Sequence, residues 1–268
     1  MDIYLNEIRL QVPEGTRLFA LRDTHRPKAD ILILNGHLLT TDHDLEANDR
    51  VVLIERGVQP DAEELEALMM ARHTPGVHER VKAGRVGIAG VGGLGSSIAI
   101  ALARTGVGRL VIADYDVVEP SNLNRQQYFI DQLGKPKVEA LAETIKRINP
   151  HVDLVCRQLK LTAENLAATF VEVDILVEAL DAAEQKTMLV NTWLRKYPDR
   201  ALVTASGVAG FAASNSIKTR QIRDNLILCG DGVTAAEPGC GLMAPRVGIA
   251  AHHQANAVLR LLLNEEID

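Results

Sequence analysis

The residues most capable of chemistry follow a glycine-rich turn in the middle of the chain. The turn reads Gly90-x-Gly92-Gly93-x-Gly95, and behind it come Asp114, Asp116, Asn122, Arg125, Lys137 and Asp181. A turn of this kind offers backbone N–H groups and the positive end of a helix dipole, which together hold a phosphate. Gly90 permits the tight bend, Gly92 lets the backbone approach the anion, and Gly95 lets the helix pack close to its strand. An acid about twenty residues further on, here Asp114, is placed to hold ribose hydroxyls. Glycines and acid alone describe a nucleotide site whose default ligand is NAD. The loop after Asp114 argues otherwise, because it adds a carboxylate, an amide and a guanidinium in quick succession. A dehydrogenase needs only backbone N–H groups for the pyrophosphate, whereas a site that cleaves a triphosphate needs fixed positive charge where negative charge develops. Arg125 and Lys137 supply that charge, so the same turn reads as an ATP site.

These residues need a scaffold, and the flanking pattern supplies one. An apolar run at 86–89 precedes the turn, a helix-like segment follows it, and a second apolar run at 110–113 ends in Asp114. That is the strand, turn, helix and strand of a nucleotide-binding unit. The alternation continues with a helix over 137–148 stopped by Asn149-Pro150 and a strand at 152–155. A helix over 162–170 is expected next, with Thr162 as its cap and Glu164 in its first turn. A buried strand at 175–177 delivers Asp181, followed by a helix over 183–196 and a strand at 201–205. Shorter strands at 214–217 and 226–228 look antiparallel. A loop rich in Gly and Pro over 231–245 leads to a last helix over 247–263. Alternating strands and helices with a late antiparallel portion predict a Rossmann-like, doubly wound mixed sheet.

Residues 1–57 have a different character. Two short strands flank a turn at Asn6-Glu7, and a helix over 16–22 with Thr16 as its cap follows. A strand at 31–34 turns at Asn35-Gly36 into 37–39, and an apolar strand at 51–54 closes the segment. This is the order of a ubiquitin-like β-grasp domain. Residues 61–72 then carry helical periodicity, with Leu65, Leu68 and Met69 on one face, and a short helix over 77–83 feeds the first strand of the sheet. The expected division is a β-grasp domain at 1–57, a helical linker at 58–76 and a nucleotide-binding domain at 77–268.

Composition narrows the class. The 268 residues are 47% hydrophobic, enough for a real core. The net charge of −6 argues against general nucleic-acid binding, which needs a basic face. No apolar run reaches the ~20 residues of a membrane span, and the opening MDIYLNEIRLQVPEG lacks the basic start and apolar core of a secretory signal. A cytoplasmic protein is expected. Cys156, Cys229 and Cys240 form no C-x-x-C pair, so neither a disulfide framework nor structural zinc is expected.

Several motifs together resemble a known family. GxGGLGS, DxDxVxxSNLxRQ, the GKPK segment ending at Lys137 and the aspartate at a strand end are similar to the ubiquitin-activating-type adenylyltransferases of sulfur-carrier pathways, the ThiF, MoeB and HesA group. The resemblance spans about residues 77–263, and the closing segment GDGVTAAEPGCGLMAPRVGIAAHHQANAVLRLLL looks like the shorter ThiF form without zinc. Residues 1–57 resemble ThiS, the sulfur carrier that such enzymes activate. The resemblance implies that ATP and the C-terminal glycine carboxylate of a carrier form an acyl adenylate, in thiamine thiazole synthesis. Gly90, Gly92, Gly93 and Gly95 would line the phosphates, with Asp114 and Asp116 on the nucleotide. Asn122, Arg125 and Lys137 would contact phosphates, and Asp181 would hold Mg²⁺. Family dimers also imply a homodimer in which an arginine ahead of the glycine turn, Arg72 or Arg80, reaches the partner's site. Cys240 is the candidate to take up the activated carrier. One departure stands out. The ThiS-like segment runs VVLIERGVQPDAEE straight on, with no Gly-Gly and no free carboxylate, so it cannot itself be adenylated. Three other readings stay open: a carrier of a molybdopterin or tRNA pathway, an NAD-dependent oxidoreductase, and a non-catalytic carrier-binding module.

Overall fold

The computed structural model describes residues 1–58, 65–66, 68–69, 73 and 76–267. The chain divides into two compact units, Met1–Glu79 and Arg80–Asp268.

The first unit is built from strands β1 (Asp2–Leu5) and β2 (Ile8–Gln11), helix α1 (Leu18–His25), and strands β3 (Ile31–Leu34), β4 (His37–Leu39) and β5 (Arg50–Ile54). The sheet order is β2-β1-β5-β3-β4, with β1 and β5 parallel at its centre. Asn6 and Glu7 both take positive φ, the paired left-handed turn whose twist suits a two-residue hairpin. Helix α1 buries Leu18 and Leu21 against Ile3, Leu32, Val51 and Leu53. Ile33 and Val52 point into a second small cluster completed by Ile31, Ile54 and Leu68. This is the β-grasp architecture. Its helix starts later than expected. Thr16 does not cap it; its hydroxyl donates back to Pro13 O at 2.7 Å. The first-turn N–H of Phe19 is satisfied instead by Asp42 Oδ1 at 2.9 Å, a partner 23 residues away. Of the helix expected over 61–72, Leu65, Glu66, Leu68 and Met69 are helical; Arg72 lies outside the described residues.

Helix α2 (Val77–Ala83) precedes the second sheet. That sheet uses β6 (Arg85–Ala89), β7 (Arg109–Asp114), β8 (Asp153–Gln158), β9 (Ile175–Glu178), β10 (Ala201–Ala205), β11 (Lys218–Arg223) and β12 (Leu226–Gly230). Their order is β11-β12-β10-β9-β6-β7-β8, all parallel except the edge strand β11. Helices α3 (Gly93–Arg104), α4 (Lys137–Ile148), α5 (Leu166–Thr169), α6 (Ala183–Lys196) and α7 (Ala244–Leu262) connect and cover the strands. The central strands are buried on both faces, as parallel sheets require: Ile88, Leu110, Ile112, Leu176 and Val203 are fully enclosed. Helix α4 shows why its sequence is helical. Val138, Leu141 and Ile145 recur on one buried face, Glu139 lies in the first turn, and Lys146 and Arg147 lie in the last, matching the dipole. Helix α7 packs along α3.

Two expectations shift here. The helix expected over 162–170 shrinks to α5, because Asn165 Oδ1 takes the Thr162 N–H at 2.8 Å and folds 162–165 into a turn. The strand expected at 214–217 is a 3₁₀ turn over Ser214–Ser216, and the antiparallel strand begins at Lys218. Among the described residues, no helix is long and apolar enough to cross a membrane.

Candidate active site

Strands β6, β7, β9 and β10 end at one edge of the sheet, and a cavity of about 570 Å³ opens there. The chain leaves β6 for β7 on one side, while β9 lies on the other. Ligands of open parallel sheets bind beyond the strand ends at such a reversal. Gly90, Gly92, Gly93, Asp114, Asp116, Arg125, Lys137 and Asp181 all line this cavity.

The turn from β6 into α3 presents the helix's first N–H groups, with Gly92 as the N-cap and no side chain capping it. Ser96 donates instead to Gly92 O at 2.6 Å, and Tyr128 pins the turn by donating to Val91 O at 2.6 Å. Gly95 does not line the cavity. A Cβ there would sit 1.9 Å from Gly90 O, so this glycine is what lets α3 close on β6.

Asp114 ends β7 half-buried. Its carboxylate accepts the Val91 N–H at 2.8 Å and the Asp116 N–H at 2.9 Å, tying the glycine turn to the next loop. Burial raises its pKa above the usual carboxylate value, against the pull of those N–H groups and of Lys137. Lys137, only 5% exposed, opens α4 and holds Asp116 Oδ2 at 2.8 Å. The pair sets a buried ammonium on a half-exposed carboxylate, and both residues line the cavity.

Asn122 is not brought to the cavity. It is 6% exposed, and its Oδ1 accepts the Glu119 N–H at 3.0 Å, closing a 3₁₀ turn. Its carbonyl accepts the Arg125 N–H at 3.1 Å, so Asn122 shapes the loop that delivers Arg125. Arg125 in turn donates to Ser121 O and Asn124 Oδ1. Asp181 stands exposed at the rim, just beyond β9. Among the described residues, no three His, Cys, Asp or Glu side chains gather as a metal cluster. A single exposed carboxylate still fits Mg²⁺, which binds through one or two carboxylates plus phosphate oxygens.

Cys240 lies outside the cavity lining, in a turn closed by paired bonds between Glu237 and Cys240. Cys229 is buried, which pushes its thiol up to about 11. Arg80 donates to Leu263 O at 2.8 Å within its own unit.

The structure adds groups that the sequence did not single out. Glu178, 1% exposed, ends β9 and accepts Lys186 Nζ at 2.8 Å and the Leu180 N–H at 2.7 Å. Burial raises its pKa, against the pull of Lys186. The pair ties α6 to the strand that carries Asp181, and Lys186 faces the cavity. Gln126 also lines the cavity, with its Oε1 buried and without a partner. The only signal for Glu178 was an acid closing an otherwise apolar strand; Gln126 sat unremarked inside the SNLNRQ segment.

Comparison with known proteins fits this geometry. Residues 66–268 match the model of the ThiF family, and residues 1–57 match ThiS-like ubiquitin. The chain is 31% identical to the molybdopterin-synthase adenylyltransferase of Escherichia coli (strain K12) over 192 residues, 69% of this chain and 75% of that protein. It is 33% identical to the ubiquitin-like modifier-activating enzyme 5 of Caenorhabditis elegans over 152 residues, 53% of this chain and 36% of that one. The fold is similar to that of E. coli tRNA N6-threonylcarbamoyladenosine dehydratase in complex with AMP, with a TM-score of 0.68 at 22% identity, covering 77% of this chain and 98% of that one. The glycine turn, the Asp114-to-Arg125 loop and the sequence match together make this chain a member of the ThiF family, preceded by a ThiS-like ubiquitin domain.

Proposed function

We propose that this chain uses ATP to adenylylate the C-terminal glycine carboxylate of a ThiS-type sulfur carrier, in thiamine thiazole biosynthesis. The observation that carries the reading is the convergence of the glycine turn, Arg125, Lys137 and Asp181 on one cavity. A carboxylate oxygen of the carrier attacks the α-phosphorus, the bond to the bridging oxygen breaks, and pyrophosphate leaves with the electron pair. No general base is needed, because the nucleophile is already ionised near neutral pH.

The obstacle is the meeting of two anions. The first-turn N–H groups of α3 and the side chains of Arg125 and Lys137 place positive charge on the phosphates before reaction. Asp114 would hold the ribose, and Asp181 would hold Mg²⁺, which when bound supplies positive charge to offset that of the phosphates. Asp116 keeps Lys137 oriented. Residues 1–57 serve docking, dimerisation or regulation, and the enzyme works as a homodimer in the cytoplasm. The ThiS-like match favours a carrier of that chemistry. The 31% identity to a molybdopterin-synthase adenylyltransferase favours a molybdopterin-pathway carrier as the second reading.

Carrier-dependent exchange of pyrophosphate into ATP tests the reading. A ThiS-type carrier ending in Gly-Gly is expected to drive exchange, and a molybdopterin-pathway carrier to drive it less. Tight NAD(H) binding without ATP binding would overturn the assignment.

A further inference from the structure

Helix α7 opens with an arginine that none of the chemistry above uses. Arg246 is 3% exposed, and each N–H of its guanidinium can be matched to an acceptor. Nε donates to Ala209 O at 2.9 Å; Nη1 donates to Ala212 O and Ala213 O; Nη2 donates to Ser216 Oγ at 3.1 Å and to Asp231 Oδ2 at 2.5 Å. Asp231 then gathers the next loop. Its carboxylate accepts the Val233 and Thr234 N–H groups at 2.8 and 2.9 Å and the Thr234 hydroxyl at 2.8 Å. One buried ion pair thus fastens two loops, 206–216 and 231–234, to the start of α7. The fastening is close: a Cβ at Gly207 would lie 1.9 Å from Asp231 Oδ1.

These loops form one side of the cavity. They contribute Gly207, Val208, Ala209, Gly232, Val233 and Thr234, none of them charged. The charged lining, Asp114, Asp116, Arg125, Lys137, Asp181 and Lys186, comes from other segments. This wall has no charged side chain to offer a phosphate, and the N–H groups of Gly232, Val233 and Thr234 are already taken by Ser206 O and the Asp231 carboxylate. It suits the other reactant, a polypeptide that brings its carboxylate in on uncharged backbone. Buried ion pairs add little net stability, since desolvation offsets their attraction. What this one provides is a fixed position for the two loops relative to α7, beyond the bonds from the Asp231 and Gly232 N–H groups to Gly207 O and Ser206 O that join the loops to each other.

We propose that Arg246 and Asp231 are positioning residues for the acyl substrate. They never touch it; they hold the wall it lies against, and they set KM for the carrier rather than for ATP. The inference rests on the adenylyltransferase reading above.

The test is steady-state pyrophosphate exchange with a ThiS-type carrier ending in Gly-Gly, titrating carrier and ATP separately, for wild type, Arg246→Met, Arg246→Lys and Asp231→Asn. Arg246→Met and Asp231→Asn are expected to raise KM for the carrier about tenfold or more while KM for ATP stays within about twofold. Arg246→Lys regains part of the loss, because an ammonium cannot span the same acceptors. Amide exchange at Val233 and Thr234, read without any carrier, speeds up in Arg246→Met. If Arg246→Met does not fold, the nearly isosteric Asp231→Asn decides. Equal rises in both KM values, or a wild-type carrier KM in Asp231→Asn, overturn the proposal alone. A wild type that exchanges with no carrier overturns the functional reading, and this inference with it.

Discussion

Lys137 shows how much one side chain can be asked to do. It is nearly enclosed, its ammonium lies on Asp116, and it lines the cavity. On the proposed reaction, Lys137→Ala removes positive charge where the α-phosphoryl group is transferred. Carrier-dependent exchange should fall by about 10²-fold or more, the usual effect of losing one preorganised donor, with little change in melting temperature. Asp231 makes a prediction of a different kind. Burial pushes its carboxyl up, but the N–H groups of Thr234 and Val233, the Thr234 hydroxyl and Arg246 outweigh that and bring it down to about 2. A depressed carboxyl contributes stability that is present above its unfolded pKa and lost as pH falls through the folded one. Wild-type stability should therefore decline from about pH 4 towards pH 2, and Asp231→Asn should flatten that part of the curve; urea unfolding at stepped pH reads it. At this scale the placement of the glycine turn, Asp114, Arg125, Lys137 and Asp181 around one cavity was legible, because each lies at or beyond the C-terminal end of β6, β7 or β9 in one parallel sheet. Lys186, Arg246 and Asp231 were not. Their partners lie on other elements, Glu178 at the end of β9 for the first and residues 209–216 and 231 for the second.

Elements followed the sequence where one physical signal dominated. The strands of the nucleotide unit are apolar runs buried on both faces, and α4 has clear periodicity and an Asn149-Pro150 stop, so their positions were legible. Elements moved where side-chain and backbone partners competed. Asn165 folds back on the Thr162 N–H and shortens α5, and Asp42 replaces Thr16 at the start of α1. Such long-range or folded-back caps leave no local mark. The packing of α3 on β6 gives the sharpest prediction here. A methyl group at position 95 would meet a backbone carbonyl that cannot step aside. Gly95→Ala should lower the melting temperature by at least about 5 °C and weaken ATP binding with it; an unchanged melting curve would show that the turn tolerates a wider approach.

The whole chain joins a carrier-like unit to a carrier-activating family member. The β-grasp order was legible from turns and short strands, and the structure and the ThiS-like match agree on it. The boundary between the units was harder to read, since residues 58–76 mix helical periodicity with proline and glycine. Residues 51–58 continue past Gly57 without a Gly-Gly end, so the fused unit offers no carboxylate to activate. The chain should therefore leave itself unmodified when given ATP, and modify a separate carrier. Intact-mass spectrometry after incubation with ATP, Mg²⁺ and a ThiS-type carrier ending in Gly-Gly tests both halves at once. The account predicts an adenylyl group on the carrier, none on this chain, and loss of the product with Lys137→Ala. An unmodified carrier, or an adenylyl group on the chain's own residues, would contradict it.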